Sequence, residues 1–393
     1  HVLSIYRSKI QEYLNAQTNL TDELLVGYDK RFIPTIPGEP LKVKLEIKIP
    51  EVLRLDEQGM ECELIIYIRQ RWTDFRLSWN KTYYPAATPL KRLKVREHLL
   101  DKIWLPDIRI TNLKEMNQFE KFGGINMNIH PSGTVYYSQL ALIRIHCPMD
   151  LRNFPMDQQT CCLNFSSYAY AKSLLTFVLQ KKEILPVHLP QFEFVEAKEC
   201  VVENQEKLKV KRISVALIFK RRSGYYILQI YIPSMSLVFL SWLVFLMDPA
   251  DIANRLVLVT TMLVSMVFLH TQMNTSLPPV SYAKAADWFV LVSFGFILVA
   301  LLETSWVYRT STRTSKKSKP MKNYRTSFQL CMRQNEDEIS APHNQDKKSS
   351  SFERNTSRKE YNSLSKVIDK LSLVLFPLMY GGFNIFYWFY FMK

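Results

Sequence analysis

Cys147 and Cys161 enclose thirteen residues, with Phe154-Pro155-Met156-Asp157 near the centre. A disulfide closing so small a loop would form a stiff knuckle. Phe154, Pro155 and Met156 would then make an apolar tip able to press on whatever lies beneath. Any small disulfide loop of a secreted β-domain would share that spacing. Cys62, Cys162 and Cys200 are odd in number and cannot all pair within one chain. Cys162 follows Cys161 in a strand pattern and so points to the opposite face. Histidine titrates near neutral pH, and His98, His130, His146 and His188 are scattered through the polar half of the chain. No His-x-x-x-His or Cys-x-x-Cys spacing occurs, so a metal site would have to be assembled in three dimensions. His270 stands apart because it lies in an apolar segment, where it could sense pH. No nucleotide loop, nucleophile elbow or zinc-protease motif is present. Enzymatic activity has no support, and no cofactor is expected.

These residues sit on two kinds of element. Leu41 to Ile49 alternates apolar and polar strictly, and Cys62 to Trp72 does so in part, which predicts half-buried strands. Arg7 to Leu14 reads as a short amphipathic helix ahead of them. Residues 1–223 therefore predict a β-sandwich of short strands. The remainder changes character. Gly224–Met247, Leu256–Ala283, Trp288–Leu302 and Leu371–Met392 are apolar runs, of a length able to cross a hydrocarbon core of ~30 Å. Glu303 interrupts the third run before Trp306, Val307 and Tyr308 extend it. Aromatic residues around Trp388 crowd the end of the fourth, as interfacial anchors would.

The domain reading is thus 1–223 sandwich, 224–308 three crossings, 309–366 basic linker and 367–393 fourth crossing. Four crossings put both termini on one side. The chain begins at His1 without a basic-then-apolar leader, which suggests that a secretory signal has been removed. A secreted start makes that side extracellular, so the expected location is the plasma membrane, multi-pass. Arg309 to Lys366 holds fourteen Lys or Arg against six Asp or Glu, a net of +8 out of the whole chain's +15. That asymmetry fits a cytoplasmic segment. It explains the basicity better than nucleic-acid binding does, and the Ser- and Lys-rich composition suggests disorder. Asn19 and Asn80 are candidate glycan acceptors on the extracellular side.

The Cys147–Cys161 spacing followed by four apolar segments resembles the Cys-loop receptors, the pentameric ligand-gated ion channels. Trp72-Thr73-Asp74-Phe75-Arg76-Leu77 and Ile103-Trp104-Leu105-Pro106-Asp107 are similar to segments that recur in that family. Gly224-Tyr225-Tyr226, Ser276-Leu277-Pro278-Pro279 and Ile368-Asp369-Lys370 resemble the glycine- and GABA-receptor-like branch. The resemblance implies an extracellular β-sandwich followed by a four-helix transmembrane bundle. It also implies assembly with four further subunits, membrane lipid around the helices and a permeant anion, chloride. A postsynaptic position, a Cys147–Cys161 disulfide and a pore lined by the second crossing belong to the same implication.

The pore departs from the branch's Pro-Ala-Arg pattern, since Asp251-Ile252-Ala253-Asn254-Arg255 stands there. Asn254 occupies the position of the glutamate that cation channels of the family carry, which removes the main cation-selecting charge. A ring of Arg255 would raise the positive potential at the mouth; alternatively Arg255 is a border residue reaching to water. Asp251 opposes anion entry. Helical spacing from Arg255 selects Val257, Thr261, Val264 and Phe268 for the pore stripe. Leu263 or Val264, depending on register, takes the place of the hydrophobic gate.

Ligand recognition in relatives lies between subunits. The resemblance implies Arg109, Ser167, Tyr168 and Tyr170 on one face, and Tyr67, Arg69, His130 and Ser138 on the other. The segment from Cys200 to Arg212 contains no aromatic residue, and a carboxylate near Ser166 is missing, so a conventional amine agonist fits less well. Arg69 and Arg109 could hold an anionic ligand, with protons or a metal ion as other triggers. Coupling to the pore would run through Phe154, Pro155 and Asp157 to Pro278 and Lys284. Asp157 would face Arg221, Arg222 or Lys284. Competing readings are a cation-permeable relative, a subunit silent without a partner, or a receptor whose membrane segments only anchor it.

Overall fold

A computed structural model describes residues 2–80, 92–95, 97–119, 124–185, 189–200, 211–248, 251–275, 277–317 and 346–391. The chain divides into two compact units, 1–151 with 156–222 and 152–155 with 223–393.

The first unit opens with helix α1 (Val2–Leu25), longer than the amphipathic stretch suggested. Leu20 is buried, while Ile5, Tyr6 and Ile10 are exposed. Strands follow: β1 (Leu41–Asp56), β2 (Glu61–Ser78) and β3 (Leu93–Val95), then the short helix α2 (Glu97–Leu100). β4 (Ile108–Ile110), β5 (Leu113–Gln118), β6 (Ile125–Ile129), β7 (Ser132–His146) and β8 (Gln158–Ser167) come next. β9 (Leu175–Ile184), β10 (Phe192–Glu199) and β11 (Ile213–Arg221) complete the set.

They form a seven-stranded sheet in the order β3-β6-β7-β2-β1-β9, with β5 also on β7, and a four-stranded sheet β10-β11-β8-β4. β1 and β2 pair antiparallel with Ile47 opposite Ile68, and their alternate side chains are buried as the period of two requires. Val43, Leu45, Ile66, Ile143, Phe165, Leu217 and Phe219 are fully enclosed within one apolar cluster that joins both sheets. Gly133 turns β6 into β7 with φ of 73°. A Cβ there would sit 2.4 Å from the Asp74 carbonyl oxygen, so only glycine fits.

The second unit is helical. Its first crossing, Gly224–Leu246, changes winding along its length. α3 (Gly224–Tyr226) passes into a π turn (Ile227–Tyr231), then α4 (Ile232–Ser241) and a 3-10 turn (Trp242–Leu246). Pro233 lacks an N–H and so leaves one ladder bond unmade in this region. α5 (Ile252–Thr275), α6 (Ala285–Lys317) and α7 (Asp346–Phe391) supply the other three spans. Helix extends well into the basic segment 309–366, where disorder was expected. α6 runs on to Lys317, and α7 starts at Asp346, 21 residues before the fourth crossing's expected start at 367. No Gly or Pro interrupts the sequence from Asp346 to Phe376, so nothing local stops a helix there.

The buried hydroxyls of this unit pair with one another: Tyr231 with Tyr387 at 2.8 Å, and Ser293 with Tyr380 at 3.0 Å. Ser372 donates to Glu303 at 2.8 Å, which gives the one acid of the third run a partner.

Candidate functional site

Four of the predicted ligand residues gather at one end of the four-stranded sheet. Arg109 on β4 lies opposite Ser166 of β8, and its guanidinium sits 5.3 Å from the Tyr168 ring centroid. Asp107 organises the turn: the Ser167 hydroxyl donates to its carboxylate at 2.8 Å, and the backbone N–H groups of Tyr168 and Ala169 donate at 2.9 and 2.6 Å. The Tyr170 N–H donates to the Ser167 hydroxyl, while Trp104 Nε1 donates to the Tyr170 hydroxyl. Asp107 was not singled out by its chemistry, although the motif containing it was. Tyr168 projects 77% exposed.

The other four belong to the seven-stranded sheet. Tyr67 and Arg69 share one face of β2, and the Arg69 guanidinium lies 5.6 Å from the Tyr67 ring centroid. Ser138 on β7 stands opposite both Arg69 and Asn126. His130 is exposed in the Gly133 turn, where its N–H donates to the Thr134 carbonyl. Among the described residues neither Arg69 nor Arg109 has an ion-pair partner, and Arg69 Nε has no hydrogen-bond acceptor. Each cation rests on a tyrosine face instead. Residues 201–210 and His188 lie outside the described residues, as does the His98 side chain. Asn19 and Asn80 are exposed, whereas Asn164 accepts from Ser214 at 2.6 Å.

Cys147 and Cys161 are joined, with Cα atoms 5.0 Å apart. Within the second unit, the Phe154 ring meets Tyr226 edge-on at 4.7 Å. The Ala285 and Ala286 N–H groups, at the start of α6, donate to the Arg152 and Phe154 carbonyls at 2.8 and 3.1 Å. These first-turn donors have no partner inside their own helix, so the tip caps α6. Pro155 and Pro278 are buried.

Asp157 belongs to the first unit. Of its three candidate partners it holds Arg221, through Nε to Oδ1 at 2.7 Å and Nη2 to Oδ2 at 3.2 Å. Glu57 binds the same guanidinium, and Gln159 also donates to Asp157. Burial works against the Arg221 charge, but the bonds from Asp157 and Glu57 outweigh it and raise the pKa above the ordinary arginine range. Lys284 pairs elsewhere than Asp157: its Nζ reaches Asn274 Oδ1 at 2.7 Å and Asp287 Oδ2 at 3.3 Å. With His270 these residues line a cavity of about 540 Å³ that also includes Pro279 and Trp288.

Helix α5 has an open face and a closed one. Asn254, Val257, Thr261, Val264 and Phe268 are exposed, at spacings of three and four residues. Val264 is 70% exposed and Leu263 is partly covered, so Val264 rather than Leu263 lies on the open stripe. Arg255 falls on the closed face with Val259, Met266 and Met273. It is 1% exposed, pairs with Asp369 of α7 at 2.8 Å and donates to the Met247 carbonyl.

Residues 17–223 match the neurotransmitter-gated ion-channel ligand binding domain, and residues 230–364 match the neurotransmitter-gated ion-channel transmembrane region. The chain belongs to the neurotransmitter-gated ion-channel family. It is 32% identical over 302 residues to the gamma-aminobutyric acid receptor subunit beta-4 of Gallus gallus. The match covers 73% of this chain and 59% of the relative's length.

Within this family frame the Arg255 expectation needs correction. A ring of Arg255 at the channel mouth would require its side chain on the open face of α5. The side chain instead turns toward α7, because Asp369 offers a charge partner and water is excluded there. No periodicity within α5 could have revealed a partner 114 residues away. Among the described residues no three His, Cys, Asp or Glu gather to hold a metal ion.

Proposed function

We propose that the chain is a subunit of a pentameric ligand-gated anion channel. Its ligand carries an anionic group and binds between subunits, held by Arg109 of one copy and Arg69 of the next. The carrying observation is the pair of arginines, each on a tyrosine face and each without a carboxylate partner among the described residues. A ligand carboxylate between them would meet two uncompensated cations and a mixed aromatic surface. Tyr67, Tyr168 and Tyr170 supply that surface, with Ser138, Ser167 and His130 at its margin.

The pore is lined by the open face of α5, with Val264 as the apolar constriction that stops ions by dewetting. Permeant chloride is supported by the likeness to a GABA receptor subunit and by Asn254, which places an amide where a carboxylate ring would attract cations. The Asn254 amide donates to Asp251 at 2.7 Å, which partly offsets that residue's charge. Ligand bias passes through the Cys147–Cys161 loop and the start of α6. The sandwich and both termini are extracellular, the basic segment is cytoplasmic, Asn19 and Asn80 carry glycans, and the location is the plasma membrane, including synapses.

Voltage clamp of cells expressing the full chain tests this, during steps of amino-acid transmitters, pH and zinc. The reading requires a transmitter-gated current whose reversal potential follows external chloride. Arg69→Ala and Arg109→Ala should each weaken apparent affinity at least tenfold. A current indifferent to chloride would overturn the anion reading, and full sensitivity in both variants would overturn the ligand site.

A further inference from the structure

We propose that Cys162 and Cys200 form a second disulfide in the sandwich, closed by a low-molecular-weight disulfide of the glutathione class. The proposal is independent of which ligand binds and which ion passes.

The geometry comes from the four-stranded sheet. β11 lies between β8 and β10. Cys162 of β8 stands opposite Ala216 of β11, and the Cys200 N–H donates to the Ser214 carbonyl at 2.9 Å. Residues 214 and 216 point to the same face of their strand, and residues directly opposite share a face. Both cysteines therefore rise from one side of the sheet and flank β11. That side is away from the core, which receives Cys161, Leu163, Val215 and Leu217. On β11 the side chains between them are those of Ser214 and Ala216, both small and both nearly covered.

Cys200 is the first residue beyond β10, so the end of that strand is free to lean across this shallow gap. The Cys162 thiol is already a hydrogen-bond partner of the Cys200 thiol. Both are partly accessible, so a small oxidant can reach them. Cys161, the immediate neighbour, is bonded to Cys147 on the opposite face of β8 and is poorly placed to compete.

Closure proceeds by thiol–disulfide exchange. The Cys162 thiolate attacks one sulfur of the small disulfide, forming a mixed disulfide and releasing one small thiol. Cys200 then loses its proton to solvent and attacks the Cys162 sulfur, releasing the second small thiol. Two protein thiols are oxidised, and one external disulfide is reduced to two thiols. Burial first, then Cys162, pushes the Cys200 thiol up to about 12, which favours Cys162 as the first attacking group.

The test uses the full chain at the cell surface, blocked with N-ethylmaleimide before lysis, digested without reduction and analysed by mass spectrometry. The peptide bearing Cys161 and Cys162 should be tied to both the Cys147 peptide and the Cys200 peptide. Mild reduction followed by oxidised glutathione should restore the Cys162–Cys200 link. Buried Cys62 should take up the reagent only after denaturation. In Cys200→Ser, Cys162 should become alkylated while Cys147–Cys161 persists. If that variant does not reach the surface, Cys162→Ser reads the same pair from the other side, through alkylation of Cys200. Alkylated or glutathione-capped Cys162 and Cys200 in the folded wild-type chain after oxidised glutathione would overturn the proposal.

Discussion

Arg221 in the sandwich and Arg255 among the apolar helices are both buried, and each faces an aspartate. Their surroundings differ. Arg221 divides its donors between Asp157 and Glu57, and Glu57 keeps 12% side-chain exposure. Arg255 has Asp369 as its carboxylate and the Met247 carbonyl beside it, while its Nε lacks an acceptor. Water at the sandwich edge can compensate a lost bond, whereas the helical unit offers little substitute. The same residue pair is therefore a shared anchor in one unit and a single point of failure in the other.

The sharpest way to break this contrast is Asp369→Ala. It should cost about 3–5 kcal/mol by stranding a buried guanidinium, read as a large fall in the unfolding temperature of the detergent-solubilised protein. Combining it with Arg255→Met should recover most of that loss, because the stranded charge is gone. Asp157→Asn should cost less, about 1.5–3 kcal/mol, since Glu57 still holds Arg221. Equal losses for Asp157→Asn and Asp369→Ala would erase the distinction. Tyr387→Phe should cost about 1 kcal/mol through the lost bond to Tyr231, measured in the same melts.

The smallest effect concerns acid. Hydrogen bonds from Lys48 and then Lys181 lower Glu183 from 4.5 to about 2. A depressed carboxylate pKa contributes stability above its unfolded value, and that contribution fades as pH falls from 4.5 toward 2. Lys48→Met should flatten stability slightly within that window and leave neutral pH nearly unchanged. Arg221 adds no slope near neutrality. Its raised pKa contributes stability that is complete below 12.5 and is lost only at more alkaline pH.

Much of the architecture was legible because burial imposes a period. The alternation through Leu41–Ile49 marks β1, and uncharged runs mark the four spans. The open stripe of α5 was legible too, but only to within one residue, since Leu263 and Val264 are equally apolar. Neighbouring helices settle that choice in favour of Val264. Asp157 could be read as an acid in need of a cation, yet choosing Arg221 over Lys284 requires the ladder that brings β11 beside β8. Arg255 misled the reading because a basic residue at the end of an apolar run looks the same whether it meets water or Asp369. The stacking of Arg109 on Tyr168 depends on a turn set by Asp107, and no local pattern encodes it.

The π turn at Ile227–Tyr231 gives the first crossing one residue more than a regular helix of equal span. Removing a residue there would let the turn relax to ordinary winding, with both flanks keeping their orientation. Removing one from α4 would rotate everything beyond it by about 100° and carry Val238 and Trp242 out of their packing. The crossing therefore has one place where its length can change by a single residue without rotating its faces. Tyr231, at the end of that turn, rests against Phe289 at 4.7 Å, Trp388 at 5.1 Å and Tyr387 at 6.0 Å. The surplus residue is thus accommodated where three helices converge on one aromatic ring.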